Sequence, residues 1–181
     1  MSHRKTSIAR FATLILVGGV FLAVSQMQSS ATASNTLAKG GVATLNKPAP
    51  KFSLKTIDGQ QFSLFAHRGK PVIIFAMFGG CGECIPVGQT LNRIQKDFAS
   101  KGLVVIAVDI VKGEPISVLE QYRSYIQASF QFASYDAGIA KAYKLTAPEI
   151  TYVIDKNGIV VFINKKGLSY KQYKQQVTKA L

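Results

Sequence analysis

The chain's two cysteines stand together as Cys81-Gly82-Glu83-Cys84, with two residues between them. They follow the apolar run Val72-Ile73-Ile74-Phe75-Ala76-Met77, whose length and β-branched content predict a buried strand. After them, Val87, Leu91, Ile94 and Phe98 recur at helical spacing and define one buried face. The pair therefore falls at a strand-to-helix turn, where free backbone N–H groups and the helix dipole favour a thiolate. That placement points to thiol–disulfide chemistry. A structural staple is the bland alternative, but a disulfide closing so small a ring removes little chain entropy and stabilises weakly compared with one closing a long loop.

With 181 residues the chain can form one domain with a proper core. Residues 1–33 carry no acidic group; Arg4, Lys5 and Arg10 precede the 14-residue apolar stretch Phe11 to Val24, and Ala31-Thr32-Ala33 offers small residues for cleavage. This is the anatomy of a secretory signal peptide. The stretch is short for a spanning helix, which needs about 20 residues, but apolar and small residues continue past Val24, so an uncleaved membrane anchor stays open. Either way the rest of the chain is read as exported, periplasmic or extracytoplasmic, and soluble after cleavage or membrane-anchored. Residues 34–47, small and polar, read as a linker.

The formal charge is +13, and +10 once residues 1–33 are set aside. Its lysines, among them Lys101, Lys141, Lys156 and Lys179, are spread out and form no long basic run. They read as a solvated surface, or as one drawn to anionic headgroups or an acidic partner. Nucleic-acid binding is not indicated, because no basic patch is interleaved with aromatic residues.

The elements that must hold the cysteines can be placed from Pro48 onward. Phe52 to Leu54 and Gln61 to Leu64 flank Asp58-Gly59, a hairpin signal. Leu103 to Val108 predicts a second buried strand after Gly102, and Pro115 opens a helix with the stripe Val118, Tyr122, Tyr125 and Ile126. Asp136 can cap a short helix through Tyr143. Thr151 to Ile154 and Ile159 to Ile163 form a second hairpin around Lys156-Asn157-Gly158. Ser169 begins a capping box with Gln172, and Tyr170, Tyr173, Val177 and Leu181 line a last helix. The order ββ–β–α–β–α–α–ββ–α predicts an α/β domain over residues 48–181, a central mixed β-sheet flanked by helices, with an N-terminal β-hairpin.

Three stretches sharpen this into a resemblance. Pro48-Ala49-Pro50-Lys51-Phe52-Ser53-Leu54, with Asp58-Gly59 and Gly69-Lys70-Pro71-Val72, leads into the first core strand. Cys81-Gly82-Glu83-Cys84 stands at the first helix. Ala147-Pro148-Glu149 precedes Thr151-Tyr152-Val153-Ile154-Asp155-Lys156-Asn157-Gly158. Together they resemble the thioredoxin-like fold, most closely the extracytoplasmic TlpA/ResA/DsbE (CcmG) family of thiol–disulfide oxidoreductases. Ala-Pro-Glu is similar to that family's cytochrome c maturation branch.

The resemblance implies a redox-active Cys81–Cys84 disulfide, with Cys81 as nucleophile and Cys84 as resolving cysteine. It implies that Ala147, Pro148 and Glu149 bind an extended substrate segment, with Pro148 in a cis bond. Its substrates would be protein disulfides, apocytochrome c among the candidates, its electrons would come from a membrane thiol donor, and it implies no organic cofactor. Glu83 and Glu149 are the carboxylates expected nearest the sulfurs; a negative charge there raises a thiol pKa and makes the pair more reducing.

This sequence departs from the family pattern in three places. Gly80 stands where the family usually has tryptophan, and the chain has none. Pro86 follows Cys84 by two residues, where it removes an early ladder hydrogen bond and would kink the helix or delay its start. Phe75 occupies a position where some thioredoxins carry a buried acid, so proton transfer would fall to water or a glutamate. Two rival readings fit less well. A peroxiredoxin needs a threonine or serine three residues before its cysteine, where this chain has Phe78. A copper chaperone of the SCO type would use two thiolates for Cu(I), but spaces them by three residues and adds a late histidine; here His67 comes before the core strand and reads as a surface residue. Asp109, Asp136 and Asp155 sit at element ends and read as caps and turn residues, with no metal site.

Overall fold

The computed structural model describes residues 41–181. The expected signal segment, 1–33, and the first part of the expected linker, 34–40, lie outside the described residues. The rest of that linker is tied to the domain. The Ala43 N–H donates to the Ala142 carbonyl at 2.7 Å, and the Asn46 N–H to the Val160 carbonyl at 2.8 Å.

Strands β1 (Ser53–Lys55) and β2 (Gln61–Ser63) pair antiparallel as a two-stranded hairpin, with Leu54 opposite Phe62. Gly59 takes φ 79° in the connecting turn, a backbone setting that costs glycine nothing. The main sheet holds β3 (Val72–Met77), β4 (Val104–Asp109), β5 (Gln131–Ala133), β6 (Thr151–Ile154) and β7 (Val160–Asn164) in the order β5-β4-β3-β6-β7. β3, β4 and β5 run parallel; β6 is antiparallel to β3, and β7 to β6. The thioredoxin-like α/β fold with its N-terminal hairpin is thus in place.

β3 is central and buried along its whole length, which is why its sequence is continuously apolar. Ile73, Phe75 and Met77 join the core formed with α1 (Cys84–Phe98), α2 (Ile116–Tyr125) and α4 (Tyr170–Ala180). Val72, Ile74 and Ala76 point the other way, into a core shared with the hairpin's Leu54 and Phe62 and with Ile139 of α3 (Ala137–Ala142). The α1 stripe Val87, Leu91, Ile94 and Phe98 is buried as its spacing predicts. At α4, Ser169 and Gln172 make the reciprocal capping box.

Three features differ from what the sequence predicts. β5 is a further strand, without a sequence signal of its own. In α2, Leu119, Tyr122 and Ile126 carry the buried face, whereas Tyr125 is 69% exposed. Pro115 stands just ahead of α2 at its N-cap rather than inside the first turn.

Candidate active site

The site is built where β3 runs out. Met77 is paired with Asp109 at the end of β4, and the Ile110 N–H donates to the Met77 carbonyl at 2.9 Å. The next residues, Phe78-Gly79-Gly80, cross over to α1. Gly79 is pressed against α2: a Cβ on it would lie 2.2 Å from Val118 Cγ1, so only glycine fits. Its N–H donates to Glu114 Oε2 at 2.7 Å. The chain then turns, with the Cys81 N–H donating to the Phe78 carbonyl at 3.1 Å.

Cys81 and Cys84 are joined as a disulfide, their Cα atoms 5.3 Å apart. Cys81 is 5% exposed and Cys84 fully buried. The Cys84 N–H donates to Cys81 Sγ at 3.1 Å. On a Cys81 thiolate that bond becomes charge-assisted and favours the ionised form, as does the N-terminus of α1 beside it.

Pro86 does not delay the start of α1. The helix begins at Cys84, which puts Pro86 in the first turn, where its missing N–H has no intrahelical partner to lose. That first turn is anchored from across the core: the buried Tyr122 hydroxyl donates to the Cys84 carbonyl at 2.6 Å. Burial pushes the Tyr122 phenol up, so it stays a neutral donor.

The Ala147-Pro148-Glu149 segment comes to the same end of the sheet. The Glu149 N–H donates to the Ala76 carbonyl and the Ala76 N–H to the Ile150 carbonyl, both at 2.8 Å, one residue short of the end of β3. No cis peptide bond occurs among the described residues, which corrects the expectation for Pro148. The chain reverses instead at Glu149, which adopts the left-handed φ of 65°. Ala147 is exposed, and its backbone N–H and C=O have no partner among the described residues.

Glu149 is half-buried, with Oε1 3.1 Å from where a Cβ on Gly167 would lie and Val87 Cγ2 2.5 Å from that same point. Its charge helps burial raise the Tyr173 phenol to about 12. Glu83, by contrast, is exposed on the outer side of the cysteine turn.

Two acidic residues of the site were missed as such. Glu114 reaches the cysteine loop from a position 35 residues further along the chain, a contact with no local signature. Asp109 is more than a turn residue: Oδ1 accepts the Val111 N–H at 2.8 Å, but Oδ2 is buried without a donor. Burial, reinforced by the neighbouring Glu114 charge, pushes its carboxyl up to about 6. Asp136 and Asp155 do act as a cap and a turn residue, accepting from Ile139 and from Asn157 and Ile159.

His67 is half-buried against the Phe62 ring, centroids 4.6 Å apart, and burial together with Lys70 lowers its pKa. It precedes β3 whereas the cysteines follow it, so the strand's length of about 20 Å separates them. A shallow cleft lined by Lys51, His67, Arg68, Lys70 and Lys156 lies at that far end.

The chain is similar to known proteins. The profile of the AhpC/TSA family matches residues 45–163. The thioredoxin-like protein YneN of Bacillus subtilis is 28% identical over 132 residues, which is 71% of this chain and 76% of YneN. The thiol-disulfide oxidoreductase ResA of Geobacillus thermodenitrificans is 25% identical over 130 residues, 71% of this chain and 74% of ResA. Among solved structures, a thioredoxin-family thiol:disulfide interchange protein from Chlorobium tepidum superposes with a TM-score of 0.66. It is 24% identical and covers 77% of this chain and 99% of its own; at that identity the likeness speaks to the fold.

Proposed function

The chain belongs to the AhpC/TSA family and is a thioredoxin-like thiol–disulfide oxidoreductase, and we propose that it works outside the cytoplasm, reducing disulfides in protein partners through Cys81 and Cys84. The observation that carries this reading is the asymmetry of the pair. Cys81 keeps 5% of its surface exposed and receives the Cys84 N–H on its sulfur, while Cys84, in the first turn of α1, is fully buried.

In the reducing direction the Cys81 thiolate attacks one sulfur of a substrate disulfide. A Cys81–substrate disulfide forms, the substrate S–S bond breaks, and the released thiolate takes a proton. Cys84, deprotonated, then attacks Cys81 Sγ; the mixed disulfide breaks, the second substrate sulfur leaves as a thiol, and the Cys81–Cys84 bond remains. A dithiol donor at the membrane restores the pair by the reverse exchange. The exposed and unpaired Ala147 backbone, at the same sheet end, supports pairing with an extended substrate segment in β fashion, with Pro148 and Glu149 beside it. Export and a role in cytochrome c maturation belong to this proposal; the first rests on the signal-peptide anatomy of residues 1–33, the second on the resemblance carried by Ala147-Pro148-Glu149.

The test is trapping. A Cys84→Ser variant, reduced and mixed with a disulfide-bearing protein, accumulates a mixed disulfide at Cys81, because nothing resolves it. Cys81→Ser forms none. Equal trapping by both variants, or by neither, contradicts the assignment.

A further inference from the structure

The residues beneath the cysteine loop are not explained by the exchange itself. Asp109 is 1% exposed, and a buried carboxyl of this kind needs partners. Oδ2 has no donor, and the neighbouring Glu114 carboxylate adds its charge to the cost of burying a second one there. As two carboxylates they can only repel; with one proton between them they can form a hydrogen bond. Glu114 uses its other capacity on the Gly79 N–H, two residues before Cys81.

We infer that Asp109 and Glu114 are positioning residues of the redox site: Glu114 clamps the loop that ends at Cys81, and a proton held by the buried Asp109 keeps that clamp closed. Loss of the proton puts two negative charges together under the loop and pushes the Glu114 side chain away from Gly79. The same charge sits beside the strand-to-helix turn where the Cys81 thiolate forms, so proton, loop and thiolate are linked. The inference rests on the thiol–disulfide reading given above.

The charged neighbour acting on Asp109 is Glu114. The adjoining end of β3 supplies Met77 and Phe78, and the loop adds no titratable group before Cys81. From the segment before α2, Lys112 is exposed; from α2, so is Glu120. Beyond β5 come Tyr135 and Asp136, and the Asp136 carboxylate is committed to the Ile139 N–H at the start of α3.

The direct test uses the unaltered protein. The carboxyl carbon of Asp109 is followed by NMR from pH 4 to 8 in the disulfide form and again in the dithiol form. Linkage requires its midpoint, near 6 in the disulfide form, to move when the cysteines are reduced, and the inference predicts an upward move as the thiolate forms. Midpoints that coincide, or no titration of Asp109 in this range, overturn it. A second measurement reads the clamp: the second-order rate of the reduced protein with oxidised glutathione. Glu114→Gln keeps an oxygen for the Gly79 N–H and is expected within about twofold of wild type, whereas Glu114→Ala slows exchange by about tenfold through loop misplacement. Equal rates for the two variants overturn the clamp. Failure of the cysteines to cycle between disulfide and dithiol would instead defeat the functional reading beneath it.

Discussion

The Tyr122 hydroxyl reaches across the core to donate to the Cys84 carbonyl at 2.6 Å, joining α2 to the first turn of the helix that carries the cysteines. Gly88, one turn further along α1, makes room for it. A Cβ there would lie 2.9 Å from the Tyr122 oxygen and 2.7 Å from Ile126 Cδ1. The redox turn is therefore held from behind by a phenol and not only by its own helix.

Tyr122→Phe keeps the ring and removes that bond. The loss of a buried hydrogen bond costs about 1 kcal/mol, which for a domain of this size lowers Tm by about 3–5 °C. Thermal unfolding measures it, and an unchanged Tm shows that the bond contributes nothing.

Gly79→Ala drives a Cβ into Val118 and breaks the Gly79–Glu114 bond. Overpacking of this kind costs about 1–3 kcal/mol, and exchange with a small disulfide slows because the loop shifts. The neighbouring Gly80→Ala is the control: its Cβ would meet the Phe78 ring at an ordinary 3.5 Å. Denaturant unfolding and exchange rates separate the two variants; equal behaviour contradicts the tight approach at Gly79.

Asp109 makes stability depend on pH with a defined sign. Its folded pKa lies near 6, above the ordinary 3.8, so between those values the folded state binds more protons than the unfolded one. Stability from this group is full at low pH, declines as pH rises from about 4 to 6, and levels off above. Asp109→Asn removes the decline and is more stable at pH 7, by on the order of 2 kcal/mol. Unfolding free energies of both proteins at pH 4 and pH 7 check this; a wild type that gains on the variant as pH rises has the sign reversed.

Much of this was legible in the chain itself. Continuous apolar runs marked β3 and β4 because both are covered on two faces, and Ser169 with Gln172 announced α4 through local capping chemistry. β5 escaped because Gln131-Phe132-Ala133 is too short to show a period; its pairing to β4 makes it a strand. In α2 the buried face runs through Leu119, Tyr122 and Ile126, so Tyr125, three residues after Tyr122, falls off it despite its aromatic ring. The cysteine turn was visible as a motif, whereas Glu114 and Asp109 join it only through tertiary contact. The reversal beside Pro148 also differed from the resemblance: Glu149, in the left-handed region, makes a turn that the family pattern assigns to a cis proline.

The most direct test is the reduction potential of the Cys81–Cys84 pair, measured on soluble residues 34–181 equilibrated against a dithiol redox buffer. A reversible two-electron couple near or below about −220 mV is the predicted result and fits a reductase. A potential near about −120 mV would mark an oxidant and contradict the proposed direction, and a pair that forms no reversible disulfide would contradict the redox account altogether.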